Sequence, residues 1–418
     1  MNDIKKKVLI TDGLADEAIK ILEEHFTVVE EKGITPDKLK EIIPDYNALI
    51  IRSATRPDAD IIGNANKMEI IGRAGIGVDN VDLEAATKKG IIVVNAPASN
   101  AVTVAEHTIA LMLALVRRIP GANSSLKSGK WEKSKFKGIE IDGKTLGIIG
   151  YGQIGGLVAK KVIGLGMKVI AYDPFVSEDR FKQLGIVKAG KLEDIYREAD
   201  FISIHLPKNK DTIGMFDRKQ FDKMQKGTII LNVARGGIIV EKDLAEAIKD
   251  GQIGGAALDV YEKEPCIDSP VFELKEVICT PHLGASTTEA QSRAGTIIAE
   301  QVVEVLNGGT PVFPVNAPVI RPEQMEVLSP FFKLAENMGS LFINMFEGNL
   351  NSISIGYNGK VSEYDVRVLT SMTLMKIMEK HSAENVNMVN VDLMAKEAGL
   401  KIMIEKSSES SDYVNLMT

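Results

Sequence analysis

Short segments rich in β-branched residues alternate with helical segments along most of this chain, and that alternation limits the folds available to it. In the first stretch the predicted strands are 8–11, 27–30, 48–52, 69–72 and 91–95. In the second stretch they are 146–149, 168–172, 201–205, 228–233, 256–260 and 277–280. Strands separated by helices of about ten to fifteen residues are typical of βαβ units, whose strands form a parallel sheet. The sequence therefore predicts an α/β protein with two doubly wound, Rossmann-like parallel sheets.

Breaks in the pattern divide the chain further. The capping-box spacing of Thr103 and Glu106 predicts that a long helix starts there, after the first sheet. The prolines between 311 and 322 predict a linker. Beyond it, Ser329 and Pro330 are predicted to begin a helix, followed by an alternating strand, which indicates a C-terminal α+β domain. The predicted domains are 1–98 with 288–316, then 99–287, and finally 317–418.

Composition excludes several classes of protein. The 418 residues include 50 basic and 57 acidic side chains, and a net charge of −7 argues against nucleic acid or an anionic membrane as partner. Neither a signal peptide nor a bilayer-spanning apolar segment is predicted. Two cysteines, Cys266 and Cys279, and the lack of Cys/His groups at ligand spacing predict neither a disulfide framework nor a metal site. These features predict a cytoplasmic protein.

The segment Gly150-Tyr-Gly152-Gln-Ile-Gly155 lies between a predicted strand and a predicted helix. Glycine at 150 permits a tight turn, Gly152 permits close approach of a pyrophosphate, and Gly155 lets the helix pack near the strand. The free N–H groups at the helix N-terminus favour an anion. Asp173, 18 residues after Gly155, ends the next strand. A carboxylate there binds the ribose hydroxyls of NAD and repels the 2′-phosphate of NADP, so residues 99–287 are predicted to bind NAD.

Three further strand ends in the second stretch carry chemically useful side chains, namely Arg235, Glu264 and His282. Because ligands bind beyond the carboxyl ends of parallel strands, these side chains are expected to converge beside the cofactor. Oxidation of a secondary alcohol needs a base for the hydroxyl proton, a cation for a substrate carboxylate, and a carboxylate that stabilises the imidazolium. The combination therefore predicts a dehydrogenase, although each side chain alone fits an ordinary structural role.

These strand ends resemble those of the D-isomer-specific 2-hydroxyacid dehydrogenases. The likeness rests on Gly72-Arg-Ala-Gly-Ile-Gly-Val-Asp-Asn80, the glycine-rich turn, Ala234-Arg-Gly-Gly237, Glu264-Pro265 and Pro281-His-Leu-Gly-Ala-Ser286. Residues 317–418, with the run Ser411-Asp-Tyr-Val-Asn-Leu-Met417, resemble the intervening domain of the members that oxidise 3-phosphoglycerate. The resemblance implies NAD-dependent oxidation of 3-phospho-D-glycerate to 3-phosphohydroxypyruvate, the first step of L-serine biosynthesis. It also implies a homo-oligomer that is at least a dimer.

The resemblance implies roles for individual residues as well. Arg235 would bind the substrate carboxylate and polarise the C2 oxygen, while His282, paired with Glu264, would be the general base. Asp259 would contact the nicotinamide carboxamide. The implied cofactor-binding residues are Gly150, Gly152, Gln153, Ile154, Gly155, Asp173, Leu206, Val233, Ala234, Asp259, Gly284 and Ala285. The implied substrate-binding residues of the first domain are Arg52 and Arg73, as candidates for the phosphate, and Ile76 and Gly77, through their backbone N–H groups.

Departures from the family leave other functions open. Threonine or serine is common in the family where this chain has Ile76 and Leu206, so only backbone contacts are expected there. Long members complete the intervening domain and add a serine-binding domain, so the chain is expected to be a fragment or a natural truncation, with an exposed sheet edge around Met394, Ile402 and Ile404. The alternatives are a glyoxylate/hydroxypyruvate or other D-2-hydroxyacid reductase and, from another class, an NAD-sensing, corepressor-like binding protein.

Overall fold

The computed structural model of the protein describes residues 5–97, 99–319, 322–346, 348, 350–380, 385–409 and 413–418. The predicted boundary at Ala98, residues 320–321 of the predicted linker, and the start of the C-terminal run at Ser411-Asp412 lie outside these residues. The chain forms two compact units, Met1–Ser99 with Gln291–Thr418, and Asn100–Ala290. Two parallel sheets and a small mixed sheet confirm the predicted fold class.

The first unit contains a five-stranded parallel sheet. Its strands are β1 (Lys7–Ile10), β2 (Thr27–Glu30), β3 (Ala48–Ile51), β4 (Ile70–Arg73) and β5 (Ile92–Val94), in the order β2-β1-β3-β4-β5. Its helices are α1 (Asp16–Glu23), α2 (Pro36–Ile42), α3 (Ala59–Asn64) and α4 (Leu83–Lys88). The central strand β3 is buried along its whole length, as continuous apolar strands are when helices cover both faces of a sheet.

The second unit contains a seven-stranded parallel sheet in the order β12-β11-β10-β9-β6-β7-β8. Its strands are β6 (Thr145–Ile149), β7 (Lys168–Tyr172), β8 (Val187–Lys188), β9 (Phe201–Ile204), β10 (Thr228–Asn232), β11 (Ile253–Leu258) and β12 (Val277–Cys279). The sequence predicts six of these and misses β8, whose two exposed residues are too few to show a period. The order reverses between β6 and β9, and ligands bind at the strand ends beside such a reversal.

Helices of the second unit form two apolar cores with the sheet. They are α5 (Ala101–Val116), α6 (Ile119–Lys127), α7 (Gln153–Ile163), α8 (Glu178–Lys182), α9 (Leu192–Glu198), α10 (Arg218–Phe221) and α11 (Glu241–Lys249). The predicted start at Thr103 is wrong. The helix starts earlier because the Val104 N–H already donates to the Asn100 carbonyl at 2.9 Å, which places Thr103 inside α5 with its side chain buried.

The C-terminal part begins with α12 (Thr288–Leu306), whose Ile298 packs close to Gly72 of β4. Then come α13 (Pro322–Met345), β13 (Ser352–Gly359), α14 (Arg367–Met378), α15 (Val391–Glu397), β14 (Lys401–Ser407) and β15 (Asn415–Met417). The predicted helix start at Ser329 is wrong, and Pro330 lies inside α13. Pro322 provides the first helical position instead, and complete burial of Leu328 stabilises the turns before Pro330.

The small sheet, in the order β14-β13-β15, has β14 at its edge. Ile404 on this strand is 44% exposed, whereas Met394 and Ile402 are partly buried against the core of the domain. The exposed apolar surface of this domain is therefore smaller than the sequence predicts, because two of the three residues named for it are partly buried. The Asn387 side chain donates to the Gly90 carbonyl at 2.8 Å and so ties this part to the α4–β5 loop. Among the described helices, none is long and apolar enough to cross a membrane.

Candidate active site

The glycine-rich segment forms a tight turn between β6 and α7. Gly150 has a left-handed φ of 94°, and its N–H donates to the Tyr172 carbonyl at 2.9 Å. A Cβ at this position would lie 2.4 Å from the His205 carbonyl oxygen. Glycine is therefore required at 150 both for its conformation and for the close approach of the chain after β9.

The start of α7 offers open space and unsatisfied N–H groups. A Cβ on Gly152 would meet no atom of the described residues within 4 Å, whereas a Cβ on Gly155 would lie 2.2 Å from the Gly150 carbonyl oxygen. Because α7 begins at Gln153, the N–H groups of Gln153, Ile154 and Gly155 lack an acceptor within the helix. These groups and the helix dipole favour an anion in that space. The turn therefore fits the pyrophosphate of NAD.

Asp173 is anchored beside the glycine turn, directly after β7. Its carboxylate oxygens accept hydrogen bonds from the N–H groups of Tyr151 and Phe175, each at 2.9 Å. Each oxygen of a carboxylate accepts more than one hydrogen bond, so the group keeps capacity for ribose hydroxyls. The position fits the role predicted for Asp173.

The other predicted cofactor residues also follow strands of the second sheet. They are Leu206 after β9, Val233 and Ala234 after β10, and Gly284 and Ala285 after β12. The Leu206 side chain lies 3.2 Å from the point where a Cβ of Gly150 would be, so it borders the glycine turn. A Cβ on Gly284 would lie 3.1 Å from Val233 Cγ1. The structure therefore brings these residues to one edge of the sheet.

His282 and Glu264 form a hydrogen-bonded pair in the second unit. Nδ1 of His282 lies 2.6 Å from Oε2 of Glu264, whose other oxygen accepts from the Tyr261 N–H at 3.1 Å. Burial raises the pKa of Glu264, but the hydrogen bond and charge of His282, together with the hydrogen bond from the Tyr261 N–H, outweigh burial and lower the pKa overall. Ionised Glu264 thus binds the Nδ1–H, which leaves Nε2 as the ring nitrogen that exchanges a proton with a ligand. With 47% of its side chain exposed, His282 is accessible to one.

Arg235 lies in a loop that Asn232, buried at the end of β10, holds in place. The Asn232 side chain donates to the Arg235 carbonyl at 3.0 Å. A Cβ on Gly236 would lie 1.7 Å from the Tyr261 carbonyl oxygen, so this loop passes directly against the segment that carries Glu264. The structure therefore brings the loops of Arg235 and Glu264 together. Sequence analysis did not single out Asn232, although it stands three residues before the arginine.

Asp259, predicted to contact the nicotinamide, is completely buried and uses both carboxylate oxygens within the protein. Oδ1 accepts from Thr280 Oγ1 at 2.6 Å and from the Leu283 N–H at 2.7 Å, and lies 3.3 Å from His107 Nε2. Oδ2 accepts from the Gly284 N–H at 2.7 Å. Burial raises the pKa of Asp259, but these hydrogen bonds outweigh it and lower the pKa. A nicotinamide contact would have to use remaining acceptor capacity on Oδ2.

Arg52 and Arg73, the candidates for a substrate phosphate, lie on neighbouring strands of the first unit. Arg52 directly follows β3, Arg73 ends β4, and the register pairs Ile51 with Arg73. A Cβ on Gly75 would lie 1.6 Å from Arg73 Nη1, so the guanidinium lies against that glycine. Two cations at adjacent carboxyl ends of strands suit an anion.

Asp12, which sequence analysis missed, organises the loop after β3. Its carboxylate accepts from the N–H groups of Arg52 at 2.7 Å, Ala54 at 3.1 Å and Thr55 at 3.0 Å. Asn80 completes the loop by donating to the Arg52 carbonyl at 2.9 Å. The position of Asp12, two residues after the end of β1 at the same sheet edge, was the available signal.

Ile76 and Gly77 lie in the loop after β4. The Asn95 side chain donates to the Ile76 carbonyl at 2.6 Å and holds this loop beside β5. The Ile76 carbonyl is thus hydrogen-bonded within the protein. The backbone N–H groups of Ile76 and Gly77 are the groups predicted to bind a carboxylate.

Comparison with known proteins agrees with this geometry. Residues 109–284 match the family model described as D-isomer specific 2-hydroxyacid dehydrogenase, NAD binding domain. Residues 327–418 match the D-3-phosphoglycerate dehydrogenase intervening domain. A D-3-phosphoglycerate dehydrogenase of Methanocaldococcus jannaschii is 43% identical over 98% of this chain and 78% of the relative. One from Synechocystis is 41% identical over 97% of this chain and 74% of the relative.

Solved structures show the same architecture. A Thermus thermophilus protein superposes with a TM-score of 0.69 and 32% identity, covering 74% of this chain and 99% of the other. A glyoxylate reductase from Paecilomyes thermophila superposes with a TM-score of 0.68 and 25% identity, covering 77% of this chain and 99% of the other. The chain therefore belongs to the D-isomer-specific 2-hydroxyacid dehydrogenase family of NAD-dependent enzymes, and within it to the D-3-phosphoglycerate dehydrogenases.

Proposed function

We propose that the protein oxidises 3-phospho-D-glycerate to 3-phosphohydroxypyruvate with NAD, the first step of L-serine biosynthesis. The match of residues 327–418 to the D-3-phosphoglycerate dehydrogenase intervening domain carries this proposal. The other three quarters of the chain resemble enzymes of different substrates, a glyoxylate reductase among them, and so do not choose the substrate. The relatives that share 41–43% identity with nearly the whole chain support the same choice.

In this proposal the His282–Glu264 pair accepts the proton of the substrate's C2 hydroxyl during oxidation. Bound NAD, held by the turn at Gly150–Gly155, supplies the hydride acceptor. Nε2 of His282 accepts the hydroxyl proton, and ionised Glu264 stabilises the resulting imidazolium through the 2.6 Å hydrogen bond to Nδ1. In the reverse direction the imidazolium returns that proton to the carbonyl oxygen.

The charged groups of the substrate are assigned to arginines and backbone N–H groups. Arg235 binds the carboxylate and polarises the C2 oxygen, since a guanidinium offers donors to both. For Ile76 and Gly77, the family resemblance implies carboxylate binding through their backbone N–H groups. Arg52 and Arg73 bind the phosphate, which a planar guanidinium recognises with paired hydrogen bonds.

The proposal is tested by NADH formation from 3-phosphoglycerate, compared with D-glycerate and D-lactate, and by NADH consumption with glyoxylate. We expect the highest kcat/KM with 3-phosphoglycerate, because only this substrate presents a phosphate to Arg52 and Arg73. Efficient glyoxylate reduction without turnover of 3-phosphoglycerate would identify a glyoxylate reductase instead. NAD binding without turnover of any substrate would identify an NAD-sensing protein.

Asp173 is expected to make the enzyme prefer NAD to NADP. Its carboxylate, fixed by the Tyr151 N–H at 2.9 Å, would repel a 2′-phosphate. We therefore expect Asp173→Asn to raise kcat/KM with NADP relative to NAD, measured with both cofactors at saturating 3-phosphoglycerate. Asp179→Asn, which neutralises an exposed carboxylate of α8, serves as the matched control and should leave the ratio unchanged. Comparable efficiency of the unaltered enzyme with both cofactors would contradict this assignment.

Glu264→Gln is expected to move the acidic limb of the kcat/KM profile for oxidation to lower pH. Ionised Glu264 and protonated His282 stabilise each other, as the lowered pKa of Glu264 shows. Without the carboxylate, the positively charged ring that forms during oxidation loses the partner that stabilises it at 2.6 Å, so activity should extend further into acid. Glu273→Gln, at an exposed position of the same unit, is the control. An unchanged profile in Glu264→Gln would mean that the pair is not coupled.

We infer a homodimer, built on the segment between α5 and β6. Its apolar side chains are exposed, with Trp131 at 83%, Leu126 at 58% and Ile139 at 51%. Exposed apolar side chains concentrated in one segment of the chain are typical of a protein interface. Light scattering should give a dimer mass, and Trp131→Glu should shift it toward the monomer. Phe175→Glu, at a side chain that is 96% exposed on another loop, should not. A monomeric unaltered protein would contradict the inference.

The cysteines support a cytoplasmic location. Cys266 and Cys279 are both free thiols. Unpaired thiols are usual for proteins of a reducing compartment.

A further inference from the structure

We propose that His107, on α5, is a positioning residue of the reaction: through the Asp259 carboxylate it holds the backbone turn that presents His282. This inference rests on the proposed function, because it assumes that His282 exchanges the substrate proton. His107 itself is assigned no contact with substrate or cofactor. All residues of the argument belong to the second unit.

The hydrogen atoms of the cluster can be assigned from its distances. Thr280 Oγ1 lies 2.6 Å from Asp259 Oδ1 and gives its single hydrogen to that carboxylate. The same hydroxyl oxygen lies 3.2 Å from His107 Nε2, and Asp259 Oδ1 lies 3.3 Å from it. Both oxygens can only accept from the imidazole, so Nε2 carries a hydrogen shared between them. His107 therefore acts as a donor that joins α5 to the end of β12.

Asp259 also holds the backbone turn at His282–Gly284 in place. Its carboxylate accepts from the N–H groups of Leu283 and Gly284, each at 2.7 Å, and the Asp259 carbonyl accepts from the His282 N–H at 2.9 Å. Three consecutive N–H groups are thus bound by one residue. His282 has a φ of 55°, in the left-handed region that a residue with a Cβ disfavours. These hydrogen bonds hold a backbone conformation that His282 would not adopt by itself.

Loss of the His107 donor would therefore act at a distance. Asp259 is fully buried, so a carboxylate oxygen that loses the His107 donor has no direct access to bulk water. The carboxylate is then expected to shift, and its remaining hydrogen-bond donors with it. Those partners are the backbone groups that set the direction of the imidazole. Because small misplacements of a catalytic group slow the chemical step, the effect should fall on kcat rather than on substrate affinity.

The test compares His107→Leu, His107→Gln and Thr280→Val with the unaltered enzyme in steady-state kinetics. His107→Leu and Thr280→Val should each lower kcat by about tenfold or more, with KM for 3-phosphoglycerate changed less than threefold. The primary isotope effect on kcat with C2-deuterated substrate should rise, since hydride transfer becomes more rate-limiting. His107→Gln should recover most of kcat, because its amide also donates. If His107→Leu does not fold, Thr280→Val still tests the inference, because it removes a hydrogen bond to the same carboxylate.

Thr108→Val is the matched control, because Thr108 is buried on the same helix and its hydroxyl donates to the Val104 carbonyl at 2.8 Å. It should lower the melting temperature without changing the isotope effect. An unchanged kcat in His107→Leu and Thr280→Val would overturn the inference, as would losses that follow melting temperature and are not recovered by glutamine. If the unaltered enzyme does not oxidise 3-phosphoglycerate, the proposed function fails, and the same variants are compared in glyoxylate reduction.

Discussion

We expect His282→Ala to lower kcat/KM for 3-phosphoglycerate oxidation by about 100-fold or more, the usual contribution of a positioned acid–base group. The substitution removes Nε2, which accepts the hydroxyl proton, and leaves Glu264 without its 2.6 Å partner. NAD binding should change little, because the glycine turn and Asp173 are untouched. Initial rates of NADH formation, together with cofactor binding measured by fluorescence, separate the two effects.

His25→Ala provides the control for this substitution. His25 is exposed and lies between α1 and the amino end of β2 in the first unit, whereas Arg52 and Arg73 of that unit lie at the carboxyl ends of β3 and β4. It should retain the rate of the unaltered enzyme. If His282→Ala kept its rate within about threefold while His25→Ala behaved normally, His282 would not be the base.

The sheets and the glycine turn are predictable because each depends on residues close together in the chain. Short apolar runs such as Ala48–Ile51 are typical of strands in a parallel sheet whose two faces are covered by helices. The φ of 94° at Gly150 and the 2.2 Å approach at Gly155 are demands that no other residue type meets. The strands and the glycine turn can therefore be predicted from short stretches of sequence.

Helix starts and polar networks are less predictable, since they are decided by distant partners. Thr103 has the right spacing for a cap, yet the helix begins before it and the hydroxyl lies 3.4 Å from that of Thr287. His107 and Asp259 are 152 residues apart in sequence. Asp12 and Arg52 are 40 apart. Sequence analysis singled out candidate residues at strand ends but not His107 or Asp12, whose hydrogen-bond partners are distant in sequence and are brought to them by the fold.

Arg235→Ala is expected to lower kcat/KM by about 100-fold or more, the scale for losing a charged group aimed at the reacting oxygen. Arg235→Lys should recover only part of this loss, because an ammonium keeps the charge but lacks the planar pair of donors. If Arg235 also polarises the C2 oxygen, kcat should fall as KM rises. A residue that only binds the carboxylate in the ground state would raise KM alone.

Arg218→Ala is the matched control for Arg235→Ala. Arg218 lies in the same unit and pairs with Asp222 at 2.8 Å and with Asp250 at 2.5 Å, in a surface network that contains none of the predicted site residues. Exposed ion pairs contribute little to stability, so this variant should keep near-normal kinetics. Near-normal kinetics in Arg235→Ala as well would show that Arg235 has no role in substrate binding or catalysis. The Asn232 side chain, bound to the Arg235 carbonyl at 3.0 Å, would then hold the loop for a structural purpose alone.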